Sequence, residues 1–245
     1  MTDDGELDAL RTLTVPTLAN AVETFGVVAP NAGYNRRPLT CHFPVFGMML
    51  GYAVTVHAAT DRPPALAPAP IDEPAYWRWL DAQAGPKIVV VEDLDDPPGG
   101  AMWGEWNAHV HQALGCLGTI TEGAVRDLDA LERRRFHTFA TAVSVGHGFG
   151  AFVGYGEPAH VAGLTVHTSD LLAADLHGVL RIPAGIPRPE LVEVGREIDR
   201  LEGEIFAYCR SDGFCVDGLA DLQASVLARW PRPRVIDGAR DGGAR

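Results

Sequence analysis

The chain reads as an α/β protein with a helical C-terminal extension, and three observations predict it. The run from Lys87 to Glu92 is continuously apolar between charged ends, the pattern of a strand covered on both faces. A strand–helix–strand–helix order follows it, from Lys87 to Arg134, which argues for an α/β core. Beyond Pro183 the pattern turns polar and helix-periodic.

In chain order, Thr14 to Gly26 predicts a short helix, with a threonine cap, Pro16 in the first turn and glycine at the end. Its core face would be Leu18, Val22 and Phe25. Val45 to Ala58 is β-rich with glycines at 47 and 51, and fits a bent strand or strand pair. The proline-rich stretch Asp61 to Pro74 reads as a loop insertion, because apolar patterning resumes at once with Tyr76, Trp77, Trp79 and Leu80. After the Lys87 to Glu92 strand comes an acidic turn, Asp93 to Gly100. A helix is expected from Trp103 to Leu114, a strand at Cys116 to Ile120, a turn at Thr121 to Gly123 and a helix from Val125 to Arg134. Short strands are expected at Leu164 to Val166, Leu171 to Ala174 and Val179 to Ile182, the last two joined by a turn through Asp175, His177 and Gly178. Helices are expected over Glu190 to Tyr208 and Leu219 to Ala228. The division this implies is a catalytic α/β domain over 1–186 and a helical tail over 187–245.

At 245 residues, 47% hydrophobic and 21% charged, the chain can bury a real core. Twenty basic against 32 acidic residues leave a net charge of −12, the wrong sign for neutralising phosphates, so nucleic acid and anionic membrane surfaces are excluded as direct partners. The acidic N-terminus is unlike a signal peptide and no run approaches ~20 apolar residues, which places the chain in the cytoplasm. Cys41, Cys116, Cys209 and Cys215 are scattered with no C-x-x-C, so neither a disulfide framework nor a structural zinc site is indicated. The single lysine, Lys87, follows Gly85 and Pro86 and is expected to be solvated, which leaves no lysine for Schiff-base chemistry.

Two segments carry the chemistry. Gly99 to Asn107 puts two glycines before a helix whose first-turn amides, with the helix dipole behind them, can form an anion site. Thr121 to Asp127 follows a strand and ends with a guanidinium and a carboxylate side by side. An Arg–Asp neighbour pair is ordinarily surface charge, but open α/β sheets put ligand sites at the carboxyl ends of strands, and both segments follow successive strands. Together they place a carboxylate-binding fork at Arg126, an amide cradle at Gly104, Glu105, Trp106 and Asn107, and a hard oxygen ligand at Asp127. Glu105 would stand near enough to hold a metal-bound water, and the combination suits a small 2-oxo acid.

Other patterns are weaker. Gly146 to Ala151 fits a loose dinucleotide fingerprint, but Gly154, Gly156 and Pro158 preclude the helix that would receive a pyrophosphate. His109 and His111 are two apart on a helix and point in different directions, one toward the site and one to solvent, instead of chelating together. Ser144 and Ser169 lack a nucleophile-elbow context.

The series GGAMWGEWNAHVHQALGCLGTITEGAVRDLDAL, followed by SDLLAADLHGVLRIP, resembles the RraA-like family. That family includes metal-dependent 4-hydroxy-4-methyl-2-oxoglutarate/4-carboxy-4-hydroxy-2-oxoadipate aldolases and the regulator of ribonuclease activity A. The resemblance runs in order from Pro16 to Pro183 and implies a compact β/β/α three-layer sandwich, assembled as a homotrimer or homohexamer with sites near subunit interfaces. It puts the substrate-contacting stretch on Gly104, Glu105, Trp106 and Asn107, the substrate arginine on Arg126 and the divalent-metal aspartate on Asp127. Trp106 and Asn107 depart from the small or aliphatic residues common after the Gly-Glu pair, as do the proline-rich loop and the long tail.

The expected activity is therefore cleavage of a C–C bond of a 4-hydroxy-2-oxo acid to give pyruvate, with oxaloacetate decarboxylation alongside. With no suitable lysine as an electron sink, magnesium or manganese held by Asp127 would stabilise the enolate, and Arg126 would grip the carboxylate and developing oxyanion. Glu105 is the first candidate to assist the base. Two rivals stand beside this: another metal-dependent reaction of an oxo acid on the same scaffold, and a ribonuclease regulator acting by protein binding.

Overall fold

The computed structural model describes residues 3–232, which fall into two compact units, 32–182 and 3–31 with 183–232. The helical unit holds α1 (Asp3–Leu10) and α2 (Val15–Glu23) together with α6 and α7, introduced below. Thr14 caps α2 by accepting from the Thr17 amide, and Leu18, Val22 and Phe25 are buried, as the periodicity predicts.

The central unit starts with the short β1 (Thr40–Cys41) and a 3-10 turn at Pro44–Phe46. Gly47, at φ 77°, then turns the chain into the long strand β2 (Met49–Ala59). The proline-rich stretch is irregular until α3 (Glu73–Asp81), which buries Tyr76 and Leu80. Then follow β3 (Lys87–Asp93), β4 (Ala101–Trp103), α4 (Glu105–Ala113), β5 (Cys116–Thr121), β6 (Ala124–Val125), α5 (Leu128–Arg133), β7 (His137–Ala140) and β8 (Ala142–Val143). The unit ends with β9 (Ala151–Tyr155), a hairpin of β10 (Ala159–Val161) and β11 (Leu164–Val166), and a second hairpin of β12 (Leu171–Asp175) and β13 (Gly178–Ile182).

Eight strands form the main sheet, in the order β1-β7-β5-β3-β2-β12-β13 with β9 also on β2. Its middle, β7-β5-β3-β2, is parallel and its margins are antiparallel. The alternation of β3 divides two cores. Val89 and Val91 face α3, α4 and α5 with Tyr76, Leu80, Trp103 and Leu131, while Ile88 and Val90 face the β10–β11 hairpin with Val161, Leu164 and Val166. Sheet, helical layer and hairpin layer make a mixed α/β architecture, as the sequence predicts.

A second sheet of three very short parallel strands, β4-β6-β8, lies off the main one. Sequence reading assigns Trp103 and Val125 to helix starts. They are instead the last residues of β4 and β6, and the helices begin two and three residues later. The strands at 137–140, 151–155 and 159–161 and the helix at 3–10 are also additions to the sequence reading.

The helical unit is completed by α6 (Arg188–Cys209) and α7 (Val216–Arg229). Leu191, Ile198 and Leu201 bury the inner face of α6, Gly195 lies where a β-carbon would meet Leu13 Cδ1 at 2.5 Å, and Thr17 Oγ1 donates to Asp199 at 2.8 Å. The C-terminal helices thus pack with α1 and α2, which the division at 186/187 assigns to the catalytic domain. Among the described residues no helix is long and apolar enough to cross a membrane.

Candidate functional site

The site forms where two neighbouring parallel strands end. β4 runs straight into α4 and β6 into α5, and the Arg126 amide donates to Trp103 O at 2.9 Å, tying the two junctions together. Parallel strands present their loops and the N-termini of the following helices on one side, so Gly104 to Asn107 and Arg126–Asp127 meet by construction. Gly104, Trp106, Asn107, Arg126 and Asp127 line one cleft of about 250 Å³.

Asp127 occupies the left-handed region at φ 58° and precedes the first turn of α5 without capping it. Its Oδ2 instead accepts from the Glu105 amide at 2.9 Å and stands 3.7 Å from Arg126 Nε. One of the first-turn amides of α4 is therefore already used by the Asp127 carboxylate, which narrows the expected cradle. The close approach needs glycine at 104: a β-carbon there would stand 2.5 Å from Asp127 Oδ2 and 3.0 Å from Arg126 Cγ. Both charged side chains remain partly open to solvent, at 37% and 41%.

Of the six residues singled out, five line this cleft; Glu105 lies in an adjoining hollow with Trp106, His109, Val110 and Asp127. The Glu105 carboxylate sits 3.5 Å from His109 Nε2. Asn107 turns its side chain back, donating to Met102 O at 2.8 Å, so it braces the junction.

The histidine pair splits, but not as the spacing suggests. His109 is exposed beside Asp127, and His111 lies in the core, 1% exposed. Burial pushes the His111 imidazole down to about 4, so the ring is neutral: Nδ1–H donates to Asn107 O at 2.7 Å and Nε2 accepts from Tyr76 OH at 2.9 Å. The same burial raises the Tyr76 phenol well above its usual value.

Residues that sequence reasoning missed come from the loop after β8. His147 and Gly150 line the cleft with Met102 and Glu73. The glycines of this stretch, which mimic a nucleotide fingerprint, serve close backbone packing: Ala101 N donates to Gly146 O at 2.8 Å, and a β-carbon on Gly100 would stand 2.5 Å from Gly148 N. Close approach is a commoner reason for spaced glycines than phosphate binding and was the available signal. Lys87, expected in solvent, is 6% exposed at the start of β3, where its amide donates to Gly115 O at 3.2 Å, and it does not line the cleft.

Among the described residues no three His, Cys, Asp or Glu side chains converge as a metal cluster. A cation at this place would take one carboxylate oxygen from Asp127, whose Oδ1 accepts no hydrogen bond from the described residues, and the rest from water and substrate. That donor set, hard oxygen with few protein ligands, fits Mg²⁺ or Mn²⁺ and would be poor for zinc.

Solved structures share the fold. A protein from Pseudomonas syringae pv. tomato superposes with a TM-score of 0.65 at 18% identity, covering 90% of this chain and 97% of its own. Streptomyces coelicolor RraAS2, described as an unusual member of the RNase ES inhibitor RraA protein family, gives 0.64 at 17% identity, with 86% and 98% covered. Protein DlpA of Legionella pneumophila is 29% identical over 97 residues, 39% of this chain but only 16% of that protein. Residues 9–181 match the family model RraA-like, Aldolase/RraA, and the chain belongs to that family, which takes in both aldolases and ribonuclease inhibitors.

Proposed function

We propose that the protein is a divalent-metal-dependent lyase that cleaves a 4-hydroxy-2-oxo acid to pyruvate, with oxaloacetate decarboxylation as a side activity, working as a homotrimer or homohexamer. The observation that carries this reading is the junction of β4–α4 with β6–α5, where Gly104 lets the Arg126–Asp127 pair close onto the first turn of α4.

Arg126 presents a planar fork to the substrate carboxylate, and the first-turn amides of α4 not taken by Asp127 orient the adjoining carbonyl. Cleavage breaks C3–C4 as the 4-hydroxyl proton leaves. The bond's electron pair moves into the enolate of pyruvate, and C3 then takes a proton. Asp127 would hold a Mg²⁺ or Mn²⁺, which when bound would supply Lewis-acid stabilisation of negative charge on the oxo-acid end. Arg126 adds a second positive charge at the same end, in a partly closed site where water screens it less than in bulk. Glu105, in the hollow beside Asp127, is placed to accept the hydroxyl proton through a water. Iminium chemistry is disfavoured because Lys87 is buried outside the cleft.

The test is pyruvate release from oxaloacetate and from 4-hydroxy-4-methyl-2-oxoglutarate with added magnesium or manganese, and again after chelation. Chelator-sensitive pyruvate from either substrate is the expected result; none from both, under either metal, removes the lyase reading.

A further inference from the structure

Trp106 stands between two concavities that share Asp127. On one side is the cleft with Gly104, Asn107 and Arg126; on the other is the wider hollow of about 530 Å³ with Glu105, His109 and Val110. Trp106, His109 and Val110 are at positions i, i+3 and i+4 of α4, so they form one stripe along its outer face. The indole is 75% exposed, in the same helical turn as the residues that grip a carboxylate. An aromatic ring left in water contributes little to the fold, whereas one that closes over a ligand gains the full apolar area it loses to solvent. The hollow also bears two carboxylates, Glu105 and Asp127, which disfavour a second anionic group there.

Resting on the lyase reading above, we infer that Trp106 and Val110 form an apolar subsite for the substituent at C4 of the 2-oxo acid. The chain then selects an aryl or branched-alkyl group at that position over a second carboxylate. Arg126 and Asp127 hold the oxo-acid end, and the indole sorts what is attached to it.

Binding separates the inference from the chemistry. Three 2-oxo acids without a 4-hydroxyl group, and so with nothing to cleave, are titrated calorimetrically into the full-length protein with magnesium: 2-oxobutanoate, 2-oxo-4-phenylbutanoate and 2-oxoglutarate. The phenyl compound is expected to bind about tenfold tighter than 2-oxobutanoate, ~1.4 kcal/mol, and 2-oxoglutarate more weakly than either. Trp106→Ala should bring the phenyl advantage below about threefold and Trp106→Phe should keep most of it, since an aromatic face survives. Arg126→Lys should weaken all three alike and leave the ratio standing. A wild-type ratio near one, an undiminished ratio in Trp106→Ala, or no binding of any of the three overturns the inference. In a separate arm, 4-hydroxy-2-oxo-4-phenylbutanoate is assayed for benzaldehyde and pyruvate, the two halves of its C3–C4 bond. Tight phenyl binding with no pyruvate from this compound, from oxaloacetate or from 4-hydroxy-4-methyl-2-oxoglutarate would keep the subsite and remove the lyase reading.

Discussion

The two faces of α4 are built to opposite ends. On the inner face Ala108 and His111 are wholly buried, His111 is hydrogen-bonded at both ring nitrogens, and Trp103 stacks on Phe136 at 5.8 Å behind it. On the outer face Glu105, Trp106 and His109 stand in solvent beside Asp127. Two tryptophans three residues apart show the contrast: Trp103 is 1% exposed and Trp106 75%. Burial on one side supplies the rigidity that lets polar and apolar groups on the other wait in water without collapsing onto the protein.

The sharpest way to break that contrast is to change one side and measure the other. Asp127→Asn removes the charge but keeps a side chain that tolerates φ 58° and can still accept from the Glu105 amide, so the fold should stand. Pyruvate release is expected to fall by at least about 10³-fold, because the stabilisation at stake is several kcal/mol. Activity within tenfold of wild type, with an unchanged circular dichroism spectrum, would show that the carboxylate charge is not what the site uses.

Gly104→Ala attacks the seam between the faces. Its new β-carbon would stand 2.5 Å from Asp127 Oδ2, so the carboxylate or the helix start must shift. A loss of roughly 10²-fold in activity is expected from about an ångström of misplacement, together with a destabilisation of about 1–3 kcal/mol from overpacking. A fully active, equally stable variant would mean the close approach is dispensable.

The smallest effect comes from the inner face. His111 has its folded value pushed to about 4 against 6.5 unfolded, so between those values the unfolded chain binds the extra proton. Stability is fully present above about pH 6.5 and is lost as pH falls toward 4, by at most ~1.4 kcal/mol per pH unit from this group. His137, also held near 4 by burial, adds to the same slope. Urea midpoints at pH 7, 6 and 5 should decline accordingly, and His111→Leu should flatten the decline. That variant costs about 1–3 kcal/mol at pH 7, because the Tyr76 hydroxyl loses its buried partner. An unaltered slope in His111→Leu would show that this imidazole is not the titrating group.

Much of this was legible from local pattern. The apolar run at Lys87 to Glu92 is a buried strand, the turn through His177 and Gly178 is a hairpin, and Thr14 caps a helix. Each of these depends on neighbours within a few residues, and local propensity and periodicity report on such neighbours. The pairing of Arg126 with Asp127 next to Gly104 was legible for the same reason, together with the rule that parallel strands place their ends together.

Tertiary structure decided the rest. β4, β6 and β8 have two or three residues each, too few to show an alternation, and exist because neighbours in the sheet satisfy their backbone groups across gaps of 20 residues or so in sequence. Lys87 is buried because β3 starts against β5, with its amide donating to Gly115 O at 3.2 Å and its register partner Cys116, and the Gly146–Gly150 loop lines the site because Gly100 admits its backbone. His111 went to the core and Trp106 to solvent because the helix turned that face to Tyr76. The sequence by itself determined which residues could do chemistry; only the packing of distant backbones determined which of them share a cleft, since contact across the chain is a property of the assembled sheet.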